Sequence, residues 1–206
     1  ALQGEDMPDI MPGQTEMEEQ EPDRQEEEHG ESVSYFARWT DRYKEAREYL
    51  YGTMEAEPDE EAAHEIMLEE AEQGNAYAMH DMGKIYAQGI GCEADKEMAD
   101  VWYKKALAAM QYVEQKKKNT YLEYRIGKMY QYGLGTEENL EQAGEWFSKA
   151  AAKEHKYALY SLGMLYLQGK GVEQDEETAY SLLFRSYSKG NPYAAYELGK
   201  LYEAGC

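Results

Sequence analysis

Cysteine is scarce in this chain: it has only Cys92 and Cys206, which match neither the Cys-x-x-Cys spacing of a metal or redox site nor a pair per structural unit. A disulfide framework is excluded, and the expectation is two reduced thiols in a cytoplasmic protein. Basic residues are also few, 21 Lys and Arg against 42 Asp and Glu, for a net charge of −21. Sequence-independent affinity for nucleic acid comes from Lys and Arg displacing counterions, and anionic lipid surfaces attract the same cations, so both partners are disfavoured. No apolar run approaches the roughly 18 residues needed to span a bilayer, and no basic-then-apolar leader is visible. The chain reads as soluble.

Catalytic constellations are equally thin. The four histidines, His29, His64, His80 and His155, are scattered. His64-Glu65 begins like a zinc-protease helix, but Leu68 occupies the place of the second histidine. Gly89-x-Gly91, Gly135 and Gly171 have the texture of phosphate loops, yet they follow helical patterns and complete neither GxGxxG nor Gly-Lys-Ser/Thr, so they read as hairpin turns. No spacing places a histidine or lysine to make one of the many carboxylates a base, and Cys92 is a lone turn thiol. The segment is expected to carry no catalytic residue, no metal and no cofactor.

What the chain has is repetition. Gly83, Gly127, Gly163 and Gly199 are each followed three residues later by Tyr86, Tyr130, Tyr166 or Tyr202, at intervals of 44, 36 and 36. Self-similarity at such a period marks a stacked array in which no unit buries its apolar face alone. In the clearest copy, Ala158, Leu162 and Tyr166 share a helix face, a Gly169-Lys170-Gly171 turn follows, and a second apolar run holds Ala179, Leu182 and Leu183. That is a helical hairpin, helix A then helix B. Asp59, Asp95, Asn139 and Asp175 stand where each helix B begins and are expected to cap it; Gly74 and Gly190 suit its end. The helix A glycines oppose local propensity, so a close approach of helix B is expected to compensate, with Ala63, Ala99, Ala143 and Ala179 as small partners. The columns Met82, Ile126, Leu162, Leu198 and Tyr86, Tyr130, Tyr166, Tyr202 are expected to form the core.

The fold class is therefore all-α, an α-solenoid of antiparallel hairpins with about five units, the last incomplete. Residues 1–33 hold twelve Asp or Glu against Arg24, with Pro8, Pro12 and Pro22, and read as a disordered acidic linker, either a solvating spacer or a lure for a basic partner. The repeat domain is expected over 34–206, in units of about 34–75, 76–119, 120–155, 156–191 and a partial 192–206. Tyr35, Phe36, Trp39, Tyr43, Ala46 and Leu50 suggest a degenerate first helix capped by Thr40 or Ser34. The unit between Gly83 and Gly127 carries eight extra residues between Ala106 and Asn119, enough to lengthen its helix B by about 12 Å.

The pattern Ala-x-x-x-Leu-Gly-x-x-Tyr-x-x-Gly-x-Gly at Ala158 to Gly171, with small changes at Ala78 to Gly91 and Leu122 to Gly135, resembles Sel1-like repeats, relatives of tetratricopeptide repeats. The resemblance implies a right-handed superhelix and a protein-protein adaptor. More narrowly, Trp39 to Tyr43, Ala46 to Gly52, Glu70 to Asp81, Gly89 to Asp95 and Glu123 to Tyr130 are similar to the repeat region that follows the catalytic domain in mobilisation relaxases of Gram-positive conjugative elements. Those enzymes nick plasmid DNA with a tyrosine and a histidine-held metal, an apparatus missing from this segment.

The expected function is thus a non-catalytic interaction scaffold, an accessory region of such a relaxase or else an unrelated Sel1-type adaptor; a cell-wall hydrolase, as in cysteine-rich secreted relatives, would need a cysteine pair in every hairpin. Lys84, Lys128 and Lys200, beside His80, Tyr124, Tyr160 and Tyr196, are expected to align into a Tyr/Lys strip for a protein or peptide ligand that is acidic or aromatic. Self-association is expected through Leu198, Leu201 and Tyr202 at an uncapped C-terminal edge.

Overall fold

The computed structural model describes residues 34–52 and 57–203; the acidic stretch 1–33 and Cys206 lie outside them. Among the described residues are nine helices and no strand: α1 (Asp41–Tyr51), α2 (Glu60–Glu72), α3 (Ala76–Gln88), α4 (Lys96–Lys116), α5 (Thr120–Tyr132), α6 (Leu140–Ala152), α7 (Lys156–Gln168), α8 (Glu176–Ser188) and α9 (Pro192–Glu203). Each helix packs on the next, giving hairpins α1/α2, α3/α4, α5/α6 and α7/α8 with α9 stacked on α8. The architecture is an all-α solenoid. None of these helices is long and apolar enough to cross a membrane.

The turn between helix A and helix B is held the same way each time. Asp59, Asp95, Asn139 and Asp175 cap helix B by accepting from the amides of Ala62, Met98, Gln142 and Thr178 at 2.9 to 3.1 Å. The backbone N–H of the same four residues donates to the carbonyls of Tyr49, Tyr86, Tyr130 and Tyr166 at 2.9 to 3.1 Å. One residue thus ends the loop and starts the helix, satisfying amides that would otherwise go unpaired. Helix A is capped in turn by Asn75, Asn119 and His155, while Asn191 accepts from the Tyr193 amide.

Three expectations are corrected by the packing. Tyr35 and Phe36 are not helical: Phe36 runs beside Asn75 in a parallel bridge, its N–H donating to Gly74 and its carbonyl accepting from Ala76, and α1 begins only after Thr40 caps it. Aromatic spacing alone does not distinguish an extended segment that pairs from a helix that packs. The Tyr86, Tyr130 and Tyr166 column, whose carbonyls serve the turn, is only partly buried and Tyr202 is 83% exposed; Leu198, expected in the other core column, is likewise only partly buried. The buried columns lie deeper, at Ala78, Leu122, Ala158 and Ala194 and at Ile85, Met129 and Leu165, beside the expected Met82, Ile126 and Leu162.

The third correction concerns the glycines. A Cβ on Gly83 would lie 2.5 Å from the Tyr103 ring, on Gly127 2.6 Å from the Phe147 ring, and on Gly163 3.0 Å from Leu183. The close partner at Gly83 and Gly127 is therefore not the alanine but the large side chain one turn beyond Ala99 or Ala143, while at Gly163 both Leu183 and the carbonyl of the expected Ala179, at 3.3 Å, lie over the missing Cβ. At Gly199 nothing lies within 4 Å.

α4 has 21 residues where the other B helices have 13, as its sequence insertion requires. The added length also sets the stacking of the next hairpin. Gly91 and Gly171, both at positive φ, sit against the first residue of a preceding B helix, Glu60 and Leu140 respectively, where any Cβ would collide with the carbonyl. Gly135 sits instead on Tyr103–Lys104, two turns inside α4 and so about 10 Å further along it. The far end of α4 carries Tyr112, whose ring meets Tyr35 edge-on at 6.0 Å.

Chemical denaturation is expected to separate the glycines. Gly127→Ala forces the Phe147 ring to move and should destabilise by about 1 to 3 kcal/mol despite better helix propensity. Gly199→Ala has open space and should stabilise by up to about 1 kcal/mol.

Candidate protein-interaction face

The A helices lie side by side and present a run of aromatic rings. Tyr43, Tyr77, Tyr121, Tyr157 and Tyr193 occupy one register position on α1, α3, α5, α7 and α9, at intervals of 34, 44, 36 and 36. Tyr43 and Tyr77 are 6.1 Å apart between ring centres and Tyr77 and Tyr121 5.4 Å, with Trp39 within 6.0 Å of all three. Tyr121 continues to His155, His155 to Tyr124 at 4.8 Å and to Tyr157 at 6.0 Å; further on, Tyr160 meets Tyr193 at 6.1 Å. Edge and tilted contacts of this kind hold neighbouring units in fixed orientation.

One turn on, the equivalent positions of α1, α3 and α5 are Arg47, Asp81 and Arg125, all buried. Asp81 accepts from the Tyr43 hydroxyl at 2.7 Å and from Arg47 at 3.1 Å, and its other oxygen lies 3.1 Å from His80 Nδ1 and 3.6 Å from Arg125. Burial alone would raise the Asp81 pKa, but the Arg125 and Arg47 guanidiniums outweigh it and hold the carboxyl well below the usual range. The guanidiniums also lie over tyrosine rings, Arg47 at 4.8 Å from Tyr51 and Arg125 at 5.1 Å from Tyr121. Three A helices are thereby joined by charge as well as by rings.

The expected Tyr/Lys strip is divided by this packing. Tyr124 is only 6% exposed, filled in against His155 and Phe147, so it presents little area to a ligand. His80 is drawn to Asp81 and lies edge-on to Tyr103. Lys84 donates to the Tyr51 hydroxyl at 3.4 Å, Lys128 to that of Tyr132 at 3.0 Å, and Lys200 to Glu197 at 2.8 Å. Each ammonium also lies over a ring, Tyr51, Tyr132 and Tyr196 respectively, at 4.4 to 5.3 Å. Tyr160 is half-buried between these groups; its burial, then Glu197, pushes its phenol up to about 12. Tyr196 is 64% exposed. Three Lys/Tyr pairs thus follow one another along helix A, interrupted at Met164.

The tyrosine run from Tyr77 to Tyr193 was within reach of sequence reasoning, since its spacing is that of the glycines carried six residues back. The Arg-Asp-Arg alternation follows the tyrosines four residues on, at intervals of 34 and 44, but its residue types differ from unit to unit and self-similarity passes over it. Nothing among the described residues groups three His, Cys, Asp or Glu as metal ligands. Burial, then Asp95, raises the Cys92 thiol pKa, contrary to what a nucleophile needs.

Helical hairpins with a glycine under a large side chain, capped by Asp or Asn at each B helix and stacked through their A helices, define a repeat solenoid of the protein-binding type. The Sel1 repeat model matches residues 43–75, 76–109, 121–155, 156–191 and 192–205, and the chain belongs to the Sel1 repeat family. Among solved structures it is similar to c5321, a protective antigen of uropathogenic Escherichia coli with an SLR fold, at 29% identity and a TM-score of 0.54 over 80% of this chain. It is also similar to a Sel1 repeat protein from Oxalobacter formigenes, at 23% identity and a TM-score of 0.60 over 80% of this chain. The chain spans 33% of the first protein and 63% of the second. No curated protein matches it.

Among the caps of α3, α5 and α7, His155 is the one that is not asparagine. Its Nδ1 accepts from the Ala158 amide at 3.3 Å, which requires the neutral ring, and burial, then Lys156, lowers its pKa to about 4. Because the unfolded chain binds this proton more readily, stability is full above the unfolded value near 6.5 and falls as pH drops toward 4. The expected loss is up to about 3 kcal/mol. His155→Asn should keep the cap and flatten that part of the stability profile, measured by urea unfolding from pH 7 to 4.

Proposed function

We propose that this chain is a non-catalytic protein-interaction scaffold that binds an acidic or aromatic peptide along its A-helix face. The observation that supports the reading is the succession of Lys84/Tyr51, Lys128/Tyr132 and Lys200/Tyr196, each ammonium over a phenol ring, with Tyr160 between the last two. Tyrosine offers contact area at low entropic cost and lysine a charge for a carboxylate, a pairing common where an extended peptide is bound. The three lysines recur at one register position on α3, α5 and α9, with Met164 in that place on α7, so a peptide laid across these helices meets the same chemistry three times. Within this reading, the resemblance of the segments around Trp39 to Tyr43 and Glu70 to Asp81 to relaxase repeats supports a role as an accessory region of a plasmid-mobilisation relaxase.

The reading is tested on arrayed peptides of Asp/Glu and Tyr/Phe composition. Binding should fall about tenfold or more in the Lys84→Ala, Lys128→Ala, Lys200→Ala triple variant and weaken with salt, while the melting temperature changes little. Equal binding by parent and triple variant would remove this face from consideration. The relaxase association is tested separately by assaying direct binding to purified relaxase catalytic domain.

A further inference from the structure

Contacts that cross from one A helix to the next set the pitch of the A-helix face. Ring centres of Tyr43 and Tyr77 are 6.1 Å apart, and those of Tyr77 and Tyr121 5.4 Å. The Lys84 ammonium on α3 lies 5.3 Å from the Tyr51 ring on α1, and the Arg125 guanidinium on α5 lies 5.2 Å from the Tyr77 ring on α3. An extended peptide rises about 3.3 Å per residue and turns alternate side chains to one side, so its like-facing residues stand about 6.6 Å apart. The two repeats are close: one A helix for every second residue of a peptide.

The chain already seats an extended segment of its own on this face. Phe36 pairs with Asn75, whose side chain donates to the Arg38 carbonyl at 3.1 Å, and the Trp39 ring then comes within 6.0 Å of rings on α1, α3 and α5. One and two turns further along the same helices the face is cationic: Arg47, Lys84, Arg125 and Lys128 stand against Asp81, in a chain whose net charge is −21. At the Lys84 register the units differ, with lysine on α3 and α5 and Met164 on α7, all three partly exposed. Tyr51 and Tyr132, over whose rings the two ammoniums lie, are 46 and 45% exposed. α3, α5 and α7 each have a further A helix on both sides, so this stretch is internal to the array.

We infer, building on the peptide-binding reading of this face, that α3, α5 and α7 select their partner by side-chain spacing: an extended peptide of the pattern acidic-x-acidic-x-aromatic, its two acids meeting Lys84 and Lys128 and its ring meeting Met164. Met164 discriminates at the third place. A thioether makes favourable contacts with an aromatic ring, whereas a carboxylate desolvated against it has no counter-charge. Discrimination of this kind comes from what the wrong residue loses as much as from what the right one gains. Acids are attracted here and not elsewhere on the chain, because the four cations around Asp81 make a local positive field within an acidic protein.

The experiment uses the 206-residue chain and fluorescently labelled peptides of one composition, two Glu and one Phe in a Ser/Gly background, with these residues separated by none, one or two others and the pattern written in both chain directions. Anisotropy titrations should show the alternate-residue spacing binding about tenfold tighter than the other spacings in one of the two directions. Met164→Lys gives α7 the residue that α3 and α5 carry, and should turn the preference at the third place from Phe to Glu by a similar factor. Lys128→Met is the converse swap and should turn the second place from Glu to Phe. Both positions are partly exposed, and melting curves verify that the variants fold. Binding that ignores spacing, or a preference that neither swap moves, would overturn the inference and leave an acidic-peptide site standing. Binding of none of the peptides would overturn the inference together with the proposed function.

Discussion

The hairpins α3/α4, α5/α6 and α7/α8 each depend on one contact: a glycine in helix A lying directly under a large side chain of helix B. Glycine in a helix interior costs about 1 kcal/mol relative to alanine, so the contact has to return more than that. It does so by letting the helices approach until Tyr103, Phe147 or Leu183 fills the space of a missing methyl group. With the spacing of the pair set, the loop has one length, and the cap residue of helix B can serve the turn carbonyl and its own helix together. Stacking then follows from the loop's second glycine, which reaches the backbone of the preceding B helix where no side chain fits.

A solenoid of this design is cooperative only as far as neighbouring units hold one another. Here the first three A helices are joined by a buried Arg47-Asp81-Arg125 alternation and by rings from Trp39 to Tyr121, whereas the later units rely on rings, aliphatic contacts and more exposed ion pairs such as Arg185 and Lys189 with Glu154. Burying charges is costly unless each is paired and hydrogen-bonded. The cluster meets that condition at Asp81 by drawing on Tyr43 and His80 as well as both arginines. The longer α4 sits across this region and moves the seat of the following hairpin along its length. The surface that results is a Lys/Tyr succession on helix A.

Much of this was legible from residue order. The period, the Asp and Asn caps, the turn glycines and the length of α4 are local: they depend on backbone conformation and on amides a few residues away, so residue type and spacing suffice to place them. The Sel1 resemblance rested on the same marks, and the Sel1 repeat model matches five stretches of the chain. Contacts between helices far apart in sequence were beyond that reach. Which side chain covers Gly127, whether Tyr124 faces solvent or His155, and that Tyr35 and Phe36 run extended all depend on where the neighbouring helix stands.

Sequence by itself thus determined the hairpin, its repetition and its ends, because helix capping and turn geometry act over a handful of residues. Tertiary structure alone decided which tyrosines are core and which are surface, since all share one residue type and similar spacing and differ only in whether an adjacent unit covers them. It also decided the seat of the third hairpin on α4, since an insertion in a helix reports added length, while only packed backbones show where the next loop comes to rest.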